Sequence, residues 1–203
     1  SAASATYTNI GITTTYQRDQ GVLKRVRGTP LPASLYLGGK VLSGTYIAAI
    51  AVVIMMTVGV VVYGVEIYAR TLPAAILTFL VGAACFSALG LLVSAVSPSG
   101  NAATAITNAT LLPLAFFSGL FVVAEDLPTW MEVLGDIFPL KHFNEAFQAA
   151  FNPELSGYQV QWDDLAVMAI WGIGGLLLAL RLFKWESKPG GTPRRRKKEP
   201  AAA

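Results

Sequence analysis

Charged side chains are scarce in this sequence of 203 residues. Only 13% of the residues are Asp, Glu, Lys or Arg, against about 25% in an average soluble domain, and 54% are hydrophobic. The sequence contains one cysteine, Cys85, and one histidine, His142. These counts exclude a disulfide framework within the sequence and a metal site built from several histidines or cysteines. The composition predicts an integral membrane protein.

The sequence also lacks the motifs of nucleotide binding and hydrolysis. Gly39-Lys40 could end a phosphate-binding loop, but Ser34 and Val41 stand where that motif requires a glycine and a hydroxyl residue. Ser118 with His142 could suggest a serine protease, but such a motif requires a glycine two positions before the serine. We therefore predict no catalytic residue, no cofactor and no metal in this chain.

Four apolar segments are long enough to cross a membrane as helices, which takes about 20 residues each. They are residues 41–65, 73–96, 102–123 and 165–183. Residues 1–16 are small, rich in threonine and uncharged, and we interpret them as the C-terminal end of a truncated transmembrane helix. The predicted fold is an all-α integral membrane protein, a polytopic helical bundle with four complete transmembrane helices and a partial one at the N-terminus.

The distribution of basic residues predicts the orientation, because lysine and arginine near the ends of spans accumulate on the cytoplasmic side. All 15 basic residues except Arg70 and Lys141 lie before residue 41 or after residue 180. Residues 17–40 and the tail 184–203 are therefore predicted to be cytoplasmic, and the tail to be disordered. Basic residues placed in this way indicate contact with the lipid bilayer of the cell membrane and not with a nucleic acid.

Residues 124–163, between the last two spans, are predicted to form an external helical hairpin. Apolar residues recur at helical spacing in two short stretches, with Pro139 between them. Neither stretch is long enough to cross the membrane, so the hairpin would lie flat at the outer interface or enter the membrane as re-entrant helices. The residues assigned to these helices are Trp130, Phe138, Pro139, Phe143 and Phe147.

The third predicted span is the most polar of the four. The residues that distinguish it are Thr104, Thr107, Asn108, Pro113 and Ser118. Such residues commonly provide hydrogen bonds and close packing between helices. Alternatively, they line a substrate path, since polar groups inside a membrane are costly unless they are paired or face water. No predicted span has a charge in its interior, which disfavours a proton- or ion-coupled transporter.

Two stretches carry a family pattern. Residues 18–42 read RDQGVLKRVRGTPLPASLYLGGKVL, and residues 116–151 read FFSGLFVVAEDLPTWMEVLGDIFPLKHFNEAFQAAF. Together with the four spans, they resemble the permease subunits of type 2 ATP-binding-cassette exporters, above all those similar to daunorubicin-resistance permeases. The resemblance covers nearly the whole chain from about Tyr7 to Phe183. The family has further spans at the front of the subunit that this sequence does not contain.

The resemblance implies export of an amphipathic drug, lipid or polysaccharide-type substrate. It implies a separate nucleotide-binding ATPase subunit that binds ATP and Mg, and a homodimer or heterodimer with a second permease subunit. Residues 17–40 would be the cytoplasmic coupling segment. The residues assigned to docking on the ATPase are Arg18, Asp19, Gly21, Leu23, Lys24, Arg25, Arg27, Thr29 and Pro30. The alternatives are a membrane scaffold, whose basic ends only anchor it, and a secondary transporter.

Overall fold

The computed structural model describes residues 2–30, 32–64, 70–118, 129–149, 151 and 160–183. Within these ranges every regular element is an α-helix and no strand forms, so the predicted all-α class is confirmed there. The helices are α1 (Ala2–Asp19), α2 (Val22–Arg27), α3 (Ala33–Tyr63), α4 (Leu72–Val96), α5 (Gly100–Phe117), α6 (Thr129–Ile137), α7 (Pro139–Ala149) and α8 (Trp162–Leu182). The predicted disordered tail, 184–203, lies outside the described residues.

Three of the described helices are long and apolar enough to cross a membrane: Leu35–Tyr63 within α3, Leu72–Val96 and Trp162–Leu182. They overlap the predicted spans 41–65, 73–96 and 165–183. The predicted span 102–123 corresponds to α5, which is not among the three because asparagines and threonines lower its hydropathy. The predicted count of four complete spans is therefore not confirmed. Residues 119–123 of that span lie outside the described ranges.

Two helix boundaries differ from the predicted ones. Helix α1 continues past residue 16 to Asp19, because the first helix-breaking residue after it is Gly21. Helix α3 begins at Ala33, well before residue 41, directly after Pro32 in extended conformation. The predicted coupling segment 17–40 therefore includes the last turn of α1, all of α2 and the first turns of α3.

Helix α1 is polar, yet it packs against α3, α4 and α5 inside the bundle. Glycines permit the close approach, since a Cβ on Gly90 would lie 2.6 Å from the carbonyl oxygen of Tyr7. A Cβ on Gly11 would lie 3.2 Å from the carbonyl oxygen of Gly90. The buried hydroxyl of Thr15 donates to the carbonyl of Gly11 over 2.7 Å. Small residues and hydroxyls bonded within their own helix let a polar helix occupy an apolar bundle.

The two predicted short helices of the external hairpin are present as α6 and α7, and Pro139 begins the second of them. Helix α7 follows α4 lengthwise, because Phe143 packs against Gly82 and Phe86 while Phe151 packs near the start of α4. Gly82 lies roughly 15 Å along α4 from its first residue, at 1.5 Å per residue. The joint between α6 and α7 therefore lies deep along α4, which favours a re-entrant arrangement over one flat on a surface.

Candidate functional site

Helix α2 forms a short basic projection after α1. Gly21 has a left-handed backbone, with φ 73°, a conformation that glycine adopts without a Cβ clash, and it turns the chain between the two helices. Leu23 is fully buried and anchors α2, whereas Lys24 and Arg25 on the next positions are exposed. Helix α2 is therefore anchored by Leu23 and exposes the positive charges of Lys24 and Arg25.

The end of α2 is closed by local hydrogen bonds. The amide of Gly28 donates to the carbonyl of Arg25 over 3.1 Å, and the hydroxyl of Thr29 donates to the carbonyl of Val26 over 2.6 Å. Thr29 and Pro30 are exposed. The side chain of Arg27, which we assigned to docking, lies outside what the structure describes. Four of the assigned residues, Lys24, Arg25, Thr29 and Pro30, thus lie on one exposed segment.

Arg18 lies inside the protein, although we assigned it to the docking surface. Its side chain is 5% exposed. Nη1 donates to the carbonyl oxygen of Ser94 over 2.9 Å, and Nη2 donates to the carbonyl oxygen of Ser97. Both carbonyls belong to the C-terminal end of α4, where the last carbonyls have no partner within the helix and carry partial negative charge. Arg18 therefore caps α4 from within the bundle.

Asp19 makes the complementary contact to the next helix. Its Oδ2 accepts from the backbone amide of Gly100 over 2.7 Å, at the first residue of α5. Ser99, at the N-cap, accepts from the amide of Ala102 over 3.3 Å. The N-terminus of a helix carries free amides and partial positive charge, so a carboxylate is stabilising there. Arg18 and Asp19 together match the charges of the two helix ends that meet at the α4–α5 turn, residues 97–99.

The other residues in the last turn of α1 also reach neighbouring helices. Tyr16 donates its hydroxyl to Oδ1 of Asn101 in α5 over 2.9 Å. Tyr36 of α3 donates its hydroxyl to Oε1 of Gln17 over 3.0 Å. Residues 16–19, which we call the terminal turn of α1, therefore contact α3, α4 and α5. Sequence reasoning missed these contacts, and the adjacent opposite charges of Arg18 and Asp19 at a helix end were the only available signal.

The five residues assigned to a substrate path do not share one environment. Thr107 and Ser118 are buried, Thr104 is half-buried, and Asn108 and Pro113 are exposed. The three hydroxyls donate to carbonyls of their own helix, over 3.0 Å for Thr104, 2.9 Å for Thr107 and 3.0 Å for Ser118. These contacts agree with the packing role for the threonines and for Ser118. Asn108 and Pro113 lie on the exposed face of α5.

An apolar cavity of about 190 Å³ lies on the other side of α5. Its walls come from α1, α4, α5, the α6–α7 joint and α8. The lining includes Tyr7, Phe86, Leu111, Leu114, Pro139 and Trp171. The hydroxyls of Tyr7 and Thr110, two of the lining residues, are hydrogen-bonded to each other over 2.6 Å. None of the residues assigned to a substrate path lines this cavity.

The aromatic residues assigned to the re-entrant helices each contact another aromatic ring. Phe138 stacks on Trp171 of α8 with ring centroids 5.6 Å apart, and the indole Nε1 of Trp171 donates to the carbonyl of Ile137 over 2.8 Å. Phe143 stacks on Phe147 at 5.7 Å. Pro139 is buried at the start of α7, whereas Trp130 is 59% exposed and touches Phe117 edge-on at 6.2 Å.

A charged cluster surrounds His142 on α7. Its Nδ1 lies 2.7 Å from Oδ1 of Asp164, and its Nε2 lies 2.8 Å from the carbonyl oxygen of Asp136. Lys141 Nζ lies 2.5 Å from Oδ1 of Asp136 and 3.8 Å from Oε1 of Glu145. Burial lowers the pKa of His142, but the bonds to Asp164 and Asp136 and the nearby carboxylates raise it more, to above its ordinary value. His142, Glu145 and Asp164 place one ligand atom each within 4.8 Å of one another, and a metal ion bound there would require the ring to lose a proton.

Comparisons with known proteins agree on one family. The family model for "ABC-2 type transporter" matches residues 2–152. "Putative transport permease YvfS" of Bacillus subtilis (strain 168) is 28% identical over 134 residues, which cover 66% of this chain and 54% of the relative. "Probable multidrug ABC transporter permease YbhR" of Escherichia coli (strain K12) is 23% identical over 149 residues, which cover 73% of this chain and 40% of the relative. The chain thus spans about half or less of the length of these curated relatives. No solved structure matches it significantly.

Proposed function

The chain belongs to the ABC-2 type transporter family, and from this premise we propose that it is the membrane-spanning permease subunit of an ATP-binding-cassette exporter. A separate ATPase subunit binds ATP and Mg and hydrolyses the ATP, and this chain contributes no catalytic residue. Hydrolysis in the partner displaces the coupling segment and changes access to a path through the membrane. The subunit works as a dimer with a second permease subunit, identical or related.

The observation that carries the proposal is a short segment in which Lys24, Arg25, Thr29 and Pro30 are exposed. It combines positive charge on helix α2 with an anchor in the buried side chain of Leu23. A rigid element can pass on a push, whereas a flexible loop would absorb it. Positive charge also favours rapid encounter with a partner that presents acidic groups.

The orientation of the chain is supported by the packing at this end of the bundle. Leu37 near the start of α3, Leu91 near the end of α4 and Ala179 near the end of α8 belong to one buried cluster. The coupling segment and the end of α8, where the basic tail begins, are therefore on the same side. Basic residues accumulate on the cytoplasmic side. We infer that α2 and the C-terminus face the cytoplasm, with the protein in the cell membrane.

For the substrate, we favour an amphipathic molecule of the drug class, since one relative carries the name of a multidrug ABC transporter permease. The exposed face of α5 with Asn108 and Pro113 is the proposed wall of its path, at the contact with a second permease subunit. Thr104, Thr107 and Ser118 support this wall from within the helix and do not touch the substrate.

The docking role of the coupling segment is tested by the double charge reversal Lys24→Glu/Arg25→Glu in the native complex. We expect the amount of co-purified ATPase subunit and the efflux of daunorubicin from cells to fall by about tenfold or more, because interface charges control association. Arg181→Glu is the matched control, since Arg181 is an exposed arginine at the same end of the bundle.

Other outcomes would support the alternative functions. Unchanged co-purification and efflux in the double variant would contradict the docking role. A protein that never co-purifies with an ATPase would be a scaffold. Efflux that follows a proton gradient and continues without ATP would identify a secondary transporter.

A further inference from the structure

The terminal turn of α1 connects the coupling segment to three other helices. Gly21 follows it directly, and the amide of Gly21 donates to the carbonyl of Arg18 over 3.0 Å. The same Arg18 reaches the end of α4, and Asp19 reaches the start of α5. Any displacement of α2 therefore acts on the terminal turn of α1, whose side chains bind the α4–α5 turn.

The contact of Arg18 with the α4–α5 turn is stronger than an ordinary surface contact. The Arg18 guanidinium is 5% exposed and makes two charge-assisted bonds, so solvent screens it little. Asp19 makes a further charge-assisted bond to a backbone amide. The ring of Tyr16 fills the space over Gly100, where a Cβ would lie 2.7 Å from it. These groups hold both helix ends at a defined distance from α1.

The alternative route from α2 runs along the chain into α3, and it is less constrained. Gly28, Thr29, Pro30 and Pro32 on this route are all exposed. The hydrogen bond described between the terminal turn and α3 runs from the hydroxyl of Tyr36 to Gln17, over 3.0 Å. Displacement of α2 is better transmitted through the charged contacts of buried Arg18 and of Asp19 than through an exposed linker.

We propose that Arg18 and Asp19 are positioning residues that couple α2 to the α4–α5 turn, so that movement imposed on α2 reaches α4 and α5. This inference rests on the proposed function, in which an ATPase subunit acts on α2. It reassigns two residues from the docking surface to an internal connection. The proposal also predicts that α4 and α5 respond to the ATPase even if α2 is the one part of the permease that contacts the ATPase.

Hydrogen–deuterium exchange of the native permease–ATPase complex tests the proposal, with and without ATP and vanadate. Uptake is followed in peptides that cover α2 and in peptides that cover residues 94–102. Labelling times are chosen so that both regions of each variant are partly exchanged without nucleotide. In the parent protein we expect ATP and vanadate to change uptake in both regions. In Arg18→Ala and in Arg18→Ala/Asp19→Ala, α2 should still respond while residues 94–102 should lose their response.

Conservative variants separate coupling from a general loss of structure. Arg18→Lys keeps the charge and can reach one carbonyl, and Asp19→Asn keeps an acceptor for the Gly100 amide, so each should retain part of the response in residues 94–102. Arg181→Ala, an exposed arginine at the same end of the bundle, should retain all of it.

Two results would overturn different claims. If residues 94–102 respond to ATP in the double alanine variant as they do in the parent, Arg18 and Asp19 do not couple α2 to the α4–α5 turn. If α2 itself does not respond in the parent complex, the proposed docking of the ATPase on α2 is wrong.

Discussion

His142 of α7 and Asp164 of α8 are joined by a hydrogen bond of 2.7 Å between Nδ1 and Oδ1. The second ring nitrogen lies 2.8 Å from the carbonyl oxygen of Asp136 in α6. When His142 is protonated, both ring nitrogens can donate to these two acceptors. One imidazolium therefore holds α6, α7 and α8 together at the hairpin.

This arrangement predicts that the stability of the α6–α7 hairpin depends on pH. The pKa of His142 is raised above its ordinary value of about 6.5 by Asp164, Asp136 and Glu145, against the lowering effect of burial. A group whose pKa is raised in the folded state stabilises the folded protein. This stabilisation is complete at pH values below the ordinary pKa of the group and is lost as the pH rises through the raised pKa. We expect the melting temperature to fall over that range in the parent protein and to fall less in His142→Gln.

The single histidine allows a direct measurement, because the imidazole resonance needs no assignment among several. Asp164→Asn should lower the pKa measured by NMR titration of His142, and Asp163→Asn, at an exposed neighbouring position, should change it less. Equal melting profiles for the parent and His142→Gln across this pH range would show that the imidazolium does not stabilise the hairpin.

Gly82→Ala tests the packing of α7 against α4. A Cβ at position 82 would overlap Cδ2 of Phe143, whose ring also packs edge-on against Phe86. We expect a loss of about 1–3 kcal/mol in the free energy of unfolding, because the ring has to move from a packed position. Gly174→Ala is the matched control, since no neighbouring atom lies within 4 Å of a Cβ there.

The double variant Gly82→Ala/Phe143→Leu makes this test specific. The smaller side chain leaves room for the new methyl group, so the double variant should lose less stability than the sum of the two single variants. Additive losses would show that Gly82 and Phe143 are not in contact.

Sequence reasoning predicted those features that depend on local pattern. The span 73–96 and the two hairpin helices follow from a long apolar run and from apolar residues at helical spacing. The roles of Arg18 and Asp19 could not be predicted in this way, because their partners lie 76 to 81 residues away along the chain. A rule that counts basic residues near a span treats a buried Arg18 and an exposed Arg25 alike.

The third predicted span, residues 102–123, shows a similar limit of prediction from sequence. Its composition left both packing and a substrate path open for Thr107 and Asn108, since both are polar residues in an apolar helix. The structure separates them, because Thr107 is buried and bonded to its own helix while Asn108 is exposed. Which face of a helix is covered depends on its neighbours, and the neighbours of α5 come from α1, α4, α6 and α7.

Trp171→Phe tests the link between α8 and the α6–α7 joint. The change removes the donor to the Ile137 carbonyl and keeps an aromatic ring beside Phe138. We expect a loss of about 1 kcal/mol in the free energy of unfolding, the usual contribution of one hydrogen bond. Trp162→Phe, at a position 71% exposed, should change it by less than about 0.5 kcal/mol. Equal effects of the two changes would contradict the link.

Gly172→Val tests the contact between α8 and α4, and the single cysteine reports the result. A Cβ at position 172 would lie 3.1 Å from Cα of Cys85, which is backbone and cannot rotate away. The larger side chain must separate the helices, so N-ethylmaleimide should label Cys85, now 2% exposed, about 5- to 30-fold faster if ~1–2 kcal/mol of stability is lost. Gly174→Val, which meets no neighbour within 4 Å, should leave the labelling rate unchanged. Equal rates in all three proteins would mean that α4 and α8 are not packed at Gly172.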